Sequence, residues 1–215
     1  MKILIAQPVH ENGISQLEAE IKRNPDIDLL LFPEGYLCNE DELVETRTLA
    51  KKNNKQIITS YRKANKDRAV IIDHKGNIIL DRAKTPPDEK IELITPLSVL
   101  CDSIEIGYLL CMEILKGARD LKKVNKVLDL IVHPIGVGMF SEEQFDLWIE
   151  EAKTIARTYK TIIMGTSHAD GSYQNCGISI PISYCIDSDG EPVYIAKSDT
   201  RTRILDLVAK KVQII

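Results

Sequence analysis

The feature that most constrains this chain is an alternation of strand-length apolar runs with segments of helical period. Short, continuous apolar runs are typical of strands covered on both faces, and spacings of three and four indicate helices. In the first half these segments follow the order Lys2–Gln7, Gly13–Arg23, Asp28–Pro33, Asp41–Lys52 and Gln56–Tyr61. Two further runs, Ala69–Asp73 and Ile78–Leu80, flank a glycine turn and are predicted to form a β-hairpin.

The second half repeats this order of elements. Its segments are Glu105–Cys111, Ala118–Leu128, Leu130–His133, Ser141–Tyr159 and Thr161–Thr166. The long helix opens on a capping-box pattern, in which Ser141 precedes Gln144 by three residues. A second hairpin, Ile178–Asp187 with Val193–Ala196, occupies the place of the first one, and Thr202–Leu207 is predicted to be the last strand.

Two halves that each contain strands, helices and a hairpin predict an α/β fold. Their sheets can stack face to face with the helices outside, which gives a four-layer α-β-β-α sandwich of two pseudo-symmetric halves. No linker rich in Pro, Gly or Ser separates the halves, so we predict one domain over residues 1–215. The least regular stretch is Asp81–Ser103, and loops of this length are usually functional or disordered.

Charge and cysteine content exclude several kinds of partner. The 28 Lys and Arg residues against 32 Asp and Glu residues give a formal charge of −4, which argues against nucleic-acid binding. No apolar run approaches the ~20 residues of a membrane span, and the start of the chain does not resemble a signal peptide. The cysteines form neither a CxxC pair nor a zinc-like spacing with histidines, so we expect no metal and a reducing, cytoplasmic location. They are Cys38, Cys101, Cys111, Cys176 and Cys185.

Polar residues that end apolar runs are the candidates for chemistry, because ligands gather at the carboxyl ends of strands in α/β sheets. Glu34 is either a solvated loop residue or a desolvated general base with a raised pKa. Cys111 is either a small buried residue or a thiolate nucleophile at a strand-to-helix turn. His133 is a base for that thiol or a hydrogen-bonded structural residue, and Glu113 is a substrate contact or a surface charge.

Three segments together resemble the carbon–nitrogen hydrolase (nitrilase) superfamily, and the resemblance covers essentially the whole chain. They are Leu30–Glu34, Ile106–Glu113 and the hairpin Ile186–Pro192. The resemblance implies that Glu34 is the general base, Cys111 the nucleophile and Lys84 the catalytic lysine. Many members carry a second glutamate after the lysine; Glu89 is the candidate here, with Glu92 close behind.

The resemblance also implies an activity, hydrolysis of non-peptide carbon–nitrogen bonds in a small amide or nitrile through a thioacyl-enzyme. The Lys84 ammonium and the Met112 backbone N–H would hold the developing oxyanion, and no metal or organic cofactor is needed. Met112, Glu113 and His133 are the predicted substrate-binding residues.

The sequence leaves two other functions open. The first is a glutamine-amidotransferase domain that pairs Cys111 with His133, although the glycine-flanked nucleophile turn expected there is missing. The second is a catalytically silent αββα protein that binds a small molecule or serves in an assembly. The apolar tail Leu205–Ile215 predicts a symmetric homodimer, and its alternative is an edge strand on the chain's own core.

Overall fold

The computed structural model describes residues 1–171 and 177–215. The first half of this part forms β1 (Lys2–Ile5), α1 (Ser15–Arg23), β2 (Leu29–Leu31), α2 (Glu40–Asn53), β3 (Gln56–Lys63), β4 (Lys66–Ile72) and β5 (Ile78–Ala83). The second half forms β6 (Ser98–Cys101), β7 (Ile104–Tyr108), α3 (Ile114–Asp120), β8 (Leu130–Pro134), α4 (Glu142–Tyr159), β9 (Ile162–Thr166), β10 (Ile182–Ile186) and β11 (Pro192–Lys197). Two more strands follow, β12 (Arg203–Asp206) and β13 (Lys211–Ile214).

The strands form two sheets with the same internal topology. One sheet has the order β13-β12-β1-β2-β3-β4-β5 and the other has the order β11-β10-β9-β8-β7-β6. In the first sheet β1, β2 and β3 are parallel, and β4 and β5 continue antiparallel. In the second sheet β7, β8 and β9 are parallel, and β10 and β11 continue antiparallel. The predicted architectural duplication is therefore confirmed.

The layers follow from alternation along the strands. In β2, Leu29 and Leu31 point between the sheets, whereas Leu30 points toward the helices on the outer face. Helices α1 and α2 cover the first sheet, and α3 and α4 cover the second. Because both faces of the central strands are buried, their sequences are continuously apolar. The four-layer α-β-β-α sandwich is thus confirmed.

Two elements differ from the sequence-based expectation. The helix predicted over Ala118–Leu128 is α3, Ile114–Asp120, which starts directly behind the turn that contains Cys111. At Gly117 an added Cβ would lie 2.7 Å from side-chain atoms of Ile155, so glycine allows α3 to pack closely on α4. The stretch predicted to be irregular also contains the end of β5 and the whole of β6, which pairs antiparallel with β7.

The last strand shows how the apolar tail is accommodated. Strand β13 pairs antiparallel with β12 at the edge of the first sheet, which is the alternative that the sequence left open for the tail. Val212 packs partly against the core between the sheets, while Ile214 stays exposed. Among the helices in the described parts of the chain, none is both long and apolar enough to cross a bilayer.

Candidate active site

Three strand ends bring Glu34, Lys84 and Cys111 together at one edge of the two sheets. Glu34 follows β2, Lys84 directly follows β5, and Cys111 begins a 3₁₀ turn, Cys111–Glu113, after β7. The Lys84 Nζ atom lies 2.6 Å from Glu34 Oε1, in an ion pair whose carboxylate is buried. The thiol of Cys111 is also buried and interacts with both charged groups. The side chains predicted to act together therefore share one site.

The backbone of Cys111 has an unusual conformation. Its φ of 53° lies in the left-handed region, which costs a non-glycine residue about 1–2 kcal/mol. Two hydrogen bonds hold the turn in place: His133 Nε2 donates to the Cys111 carbonyl oxygen at 2.7 Å, and the Leu110 N–H donates to Glu113 Oε2 at 2.7 Å. The thiol itself accepts from the backbone N–H of Gly136. A sharp, supported turn of this kind presents the sulfur at the end of the strand.

Burial and neighbouring charge set the ionisation of the three groups. Burial raises the pKa of Glu34 above its usual range, although Lys84 opposes the shift. Burial also raises the pKa of the Cys111 thiol to about 12, and the Glu34 charge adds to this effect. Burial alone would lower the pKa of Lys84, but the negative charges of Cys111 and Glu34 raise it above its usual value. The ammonium group therefore stays protonated, and the carboxylate is the group able to accept the thiol proton.

Glu113 is bound differently from the predicted substrate contact. Its carboxylate is buried and accepts from Arg82 Nη1 at 2.8 Å and from Arg82 Nη2 at 2.6 Å. It also accepts from the backbone N–H groups of Leu110 and Thr85, at 2.7 and 2.8 Å. Arg82 and these N–H groups together hold the pKa of Glu113 below its usual value despite the opposing effect of burial. This carboxylate ties the end of β5 to the turn that carries Cys111.

His133, on β8, supports the same turn. Its Nε2 donates to the Cys111 carbonyl, so Nδ1 is the acceptor for the Tyr184 hydroxyl group at 2.6 Å. Complete burial lowers the pKa of His133 to about 4, and the ring is neutral near pH 7. Both ring nitrogens are thus engaged away from the thiol. This arrangement replaces the predicted substrate contact and leaves no ring nitrogen for the Cys–His pair of an amidotransferase.

The loop after Lys84 places the other predicted residues. Met112 is 45 % exposed and lines a cleft of about 260 Å³ together with Glu89. Glu89 is exposed and interacts with Arg119, and Glu92 pairs with Lys123. The carboxylate whose charge acts on Lys84 besides Glu34 belongs instead to Asp67 at the start of β4.

The role of Glu89 as a second glutamate stays a prediction, and the charge of Asp67 on the neighbouring strand also acts on Lys84. The β4–β5 register pairs Arg68 with Ala83, which places Asp67 opposite Lys84. The register shift between Ile71 and Ile72 hides this pair from the sequence, because counting outward from the glycine turn would place Ala83 opposite Asp67. Of the other cysteines in the described parts of the chain, Cys101 and Cys185 are buried and Cys38 is exposed; Cys176 lies outside the described residues.

One cluster near the site contains groups that can bind metals. His10, His168 and Asp170 lie together, but the two rings stack at 3.7 Å between centroids with 13° between their planes. Lone pairs of parallel rings point into separate planes, which does not suit a shared ion. His10 instead contacts the Asp170 carboxylate, and His168 Nε2 donates to the Glu34 carbonyl oxygen at 3.0 Å. The cluster supports the backbone of Glu34.

Comparison with known proteins relates the chain to others by its fold. No family model and no curated protein matches the sequence. Among solved structures, a carbon–nitrogen hydrolase from Helicobacter pylori G27 is 15% identical, with a TM-score of 0.73 over 98% of this chain and 90% of that one. Nit3 of Saccharomyces cerevisiae, a nitrilase-superfamily member, is 16% identical, with a TM-score of 0.70 over 96% and 89%.

A third similar structure is a mutant amidase from Nesterenkonia sp. AN1, with acrylamide added to its active-site cysteine. It is 13% identical, with a TM-score of 0.74 over 96% of this chain and 92% of that one. At these identities the comparisons establish a shared fold. The chain therefore has the fold of the carbon–nitrogen hydrolases, as the sequence resemblance predicted.

Proposed function

We propose that this protein hydrolyses non-peptide carbon–nitrogen bonds, in the manner of an amidase, with Cys111 as its nucleophile. The observation that carries the proposal is the ion pair of 2.6 Å between Lys84 and Glu34 beside a thiol on a left-handed turn. A buried base, a partly buried cation and a nucleophile in one place are the groups that acyl transfer through a thioester uses.

The mechanism begins with proton transfer from the Cys111 thiol to the Glu34 carboxylate. The thiolate then attacks the amide or nitrile carbon, and the Lys84 ammonium with the Met112 backbone N–H stabilises the developing negative charge. With an amide, the protonated Glu34 gives its proton to the leaving ammonia or amine, which leaves a thioacyl-enzyme. With a nitrile, Glu34 protonates the nitrogen to give a thioimidate, and a water molecule adds to its carbon before ammonia leaves and the same thioacyl-enzyme remains. Glu34 next activates a water molecule, whose attack releases the carboxylic acid and restores the thiol.

Two buried groups position this machinery without touching the substrate. The Arg82–Glu113 pair fixes the end of β5, from which Lys84 projects, against the turn of Cys111. The loop after Lys84 is held by Lys116, whose Nζ donates to the carbonyl oxygens of Asp88 and Ile91 at 2.5 and 2.8 Å. These hydrogen bonds attach the loop between Lys84 and Cys111 to α3.

The two other functions fit the site less well. An amidotransferase of the Cys–His type needs an imidazole at the thiol, whereas His133 binds the Cys111 carbonyl group and Tyr184. A silent binding protein has no need of a buried carboxylate with a raised pKa beside a lysine and a strained cysteine. Burying such groups is costly, and clusters of perturbed ionisable groups mark functional sites.

A screen of ω-amides, carbamoyl compounds and simple nitriles, read as ammonia release, tests the proposal. The variant Cys111→Ala should lose turnover and keep its fold, because it removes one sulfur atom from a supported turn. Cys38→Ala, at an exposed thiol, is the matched control and should leave the rate unchanged. Equal losses of rate in both variants would contradict a nucleophilic role for Cys111.

Labelling with acrylamide gives a second readout that needs no substrate. Acrylamide adds to the active-site cysteine of the Nesterenkonia amidase. We expect it to label Cys111 faster than the buried Cys101 and Cys185, with the sites assigned by mass spectrometry. Labelling at Cys38 alone would support the silent binding protein.

We also propose that the protein is a symmetric homodimer, while its cytoplasmic location stays a prediction. Met112 and Leu115 on the outer side of the second sheet are exposed, as is Leu147 on α4. Exposed apolar side chains on neighbouring helices often form the interface of a symmetric dimer. Light scattering should give about twice 24.2 kDa at micromolar concentration, and Leu115→Glu should halve that mass. A 24.2 kDa particle that is unchanged by deletion of residues 207–215 would exclude the dimer.

A further inference from the structure

A row of alternating charges crosses the first sheet toward the candidate active site. In the β3–β4 register Arg62 lies opposite Asp67, and Arg62 Nη1 is 3.4 Å from Asp67 Oδ1. On its other side Asp67 lies opposite Lys84, whose backbone N–H donates to the Asp67 carbonyl oxygen at 2.8 Å. Lys84 in turn reaches Glu34. Across neighbouring strands the charges therefore alternate, from Glu34 after β2 through Arg62 on β3 and Asp67 on β4 to Lys84 after β5.

Strand geometry places these side chains on the face that looks toward the second sheet. Ala69 and Ile71 of β4 belong to the core between the sheets, and alternation puts Asp67 on the same face. Leu80 of β5 also belongs to that core, which puts Lys84 on this face too. Directly opposed residues have Cβ atoms about 5 Å apart, close enough for charged side chains to interact.

We propose that Asp67 is a positioning residue of the site, which holds Lys84 between two carboxylates and adds negative charge at Glu34. The inference rests on the proposed function and goes beyond it, because neither the thiol nor the substrate needs to touch Asp67. Arg62 binds the Asp67 carboxylate from the side away from Lys84, and the backbone of Asp67 is hydrogen-bonded to that of Lys84 on the other side.

The charge of Asp67 acts on both members of the ion pair. It raises the pKa of Lys84, which helps to keep the ammonium group protonated. It also raises the pKa of Glu34, which makes this carboxylate a stronger base for the thiol proton. The charged groups that act directly on the thiol are Glu34 and Lys84, and Asp67 acts on it through them. His133 and Glu113 hold the backbone of the same turn from the second sheet and from the start of α3.

The pH dependence of Cys111 alkylation tests this role without a substrate. Asp67→Asn keeps the size of the side chain and removes one negative charge, so the Glu34–Cys111 pair should ionise at lower pH. We expect the midpoint of acrylamide labelling at Cys111 to fall by about 0.5–1 pH unit, the usual effect of one nearby charge. The midpoint is a property of the coupled pair, which is the quantity that Asp67 is proposed to set.

Two further variants make the result decisive. Asp81→Asn is the matched control, because the Asp81 carboxylate bonds Arg68 and Tyr61 and should not affect the midpoint. Arg62→Gln removes the cation that offsets Asp67, so its midpoint should move in the opposite direction, to higher pH. This second shift tests the proposal even when Asp67→Asn does not fold.

Midpoints of folded Asp67→Asn or Arg62→Gln protein that match the wild type would overturn the role of Asp67. Equal shifts in Asp67→Asn and Asp81→Asn would also overturn it, because the effect would then be general to the sheet. The outcome is independent of the proposed function: a protein that hydrolyses no amide or nitrile still reports the midpoint at Cys111.

Discussion

Two carboxylate–cation pairs with buried carboxylates meet at the end of β5, and they differ in their cations and in their hydrogen bonds. Arg82 and Lys84 are two residues apart at the end of β5, and they pair with Glu113 and Glu34 respectively. Both carboxylates are buried, with side-chain exposures of 2% each. The cations differ, since the Arg82 side chain is 1% exposed and that of Lys84 is 26% exposed.

The carboxylates also differ in how their oxygen atoms are used. Glu113 accepts both Nη groups of Arg82 and two backbone N–H groups, and its pKa is lowered. Glu34 meets one ammonium group and a thiol, and its pKa is raised by burial. The number of donors around a buried carboxylate, rather than burial itself, decides whether it stays ionised as a clamp or exchanges protons as a base.

The choice of cation follows the same division. Arginine presents a planar fork that binds a carboxylate through two parallel hydrogen bonds, which suits a fixed connection between β5 and the turn of Cys111. Lysine is a compact charge on a flexible stem, so Lys84 can remain near Glu34 and still turn toward an oxyanion. We therefore expect the Arg82–Glu113 pair to serve stability and the Lys84–Glu34 pair to serve the proposed chemistry.

The largest effect expected from this assignment is on turnover in Glu34→Gln. The amide cannot accept the thiol proton, and loss of a general base costs about 10²–10⁴-fold in rate. Ammonia release from the best substrate of the screen measures the loss, and thermal unfolding checks the fold. Asp81→Asn, at an exposed position of β5, is the control and should keep the wild-type rate. A Glu34→Gln protein with more than half of the wild-type rate would break the comparison.

The second effect is on stability in Glu113→Gln. Glutamine keeps the shape of the side chain but leaves the Arg82 guanidinium buried without its counter-charge, which costs about 3–5 kcal/mol of unfolding free energy. Urea denaturation of this variant beside Glu89→Gln measures the difference, and the exposed control should stay within about 0.5 kcal/mol of the wild type. If Glu113→Gln keeps its stability and loses turnover, Glu113 belongs to the chemistry instead.

Much of the fold could be predicted because the controlling signals are local. The continuous apolar runs identified the strands of both sheets, and Ser141 caps α4 by accepting from the Gln144 N–H at 3.2 Å, as predicted. Strand β6 has a mixed, partly exposed sequence, and it is defined by its pairing with β7 rather than by a pattern of its own. The sequence predicted α3 too far along the chain, because the position of this helix depends on its close contact with α4 at Gly117.

Two of the site residues could be proposed from their positions just beyond apolar runs, namely Glu34 and Cys111. Lys84 follows β5 directly, but only the resemblance to the carbon–nitrogen hydrolases singled it out among the lysines. The roles of His133 and Glu113 depend on partners far away in sequence, such as Tyr184 and Arg82, so their burial under the turn could not be read locally. Asp67 became visible only through the strand register, because it acts across the hairpin on Lys84.

The smallest expected effect is on the pH dependence of stability, and it separates the two carboxylates most clearly. The contributions of Glu113 and Glu34 to the free energy of unfolding should change with pH in opposite directions. The folded pKa of Glu113 is lowered, so its contribution to stability is present above about 4.5 and is lost as the pH falls toward the folded value. The folded pKa of Glu34 is raised, so its contribution is present below about 4.5 and is lost as the pH rises toward the folded value. A tenfold difference between the folded and unfolded proton affinities of a carboxylate corresponds to about 1.4 kcal/mol.

Urea unfolding from pH 3 to 7.5 measures these contributions. The unfolding free energy of Glu113→Gln should approach that of the wild type at low pH, and that of Glu34→Gln should rise relative to the wild type as the pH rises. The wild-type curve also falls at acid pH because burial lowers the pKa of His133 to about 4 and that of His168 to about 3. The Glu113 charge raises the pKa of His133, so this loss differs in Glu113→Gln below about pH 4, and its difference curve is read above that pH. Parallel difference curves would mean that both carboxylates are equally well satisfied, and the division between clamp and base would fail.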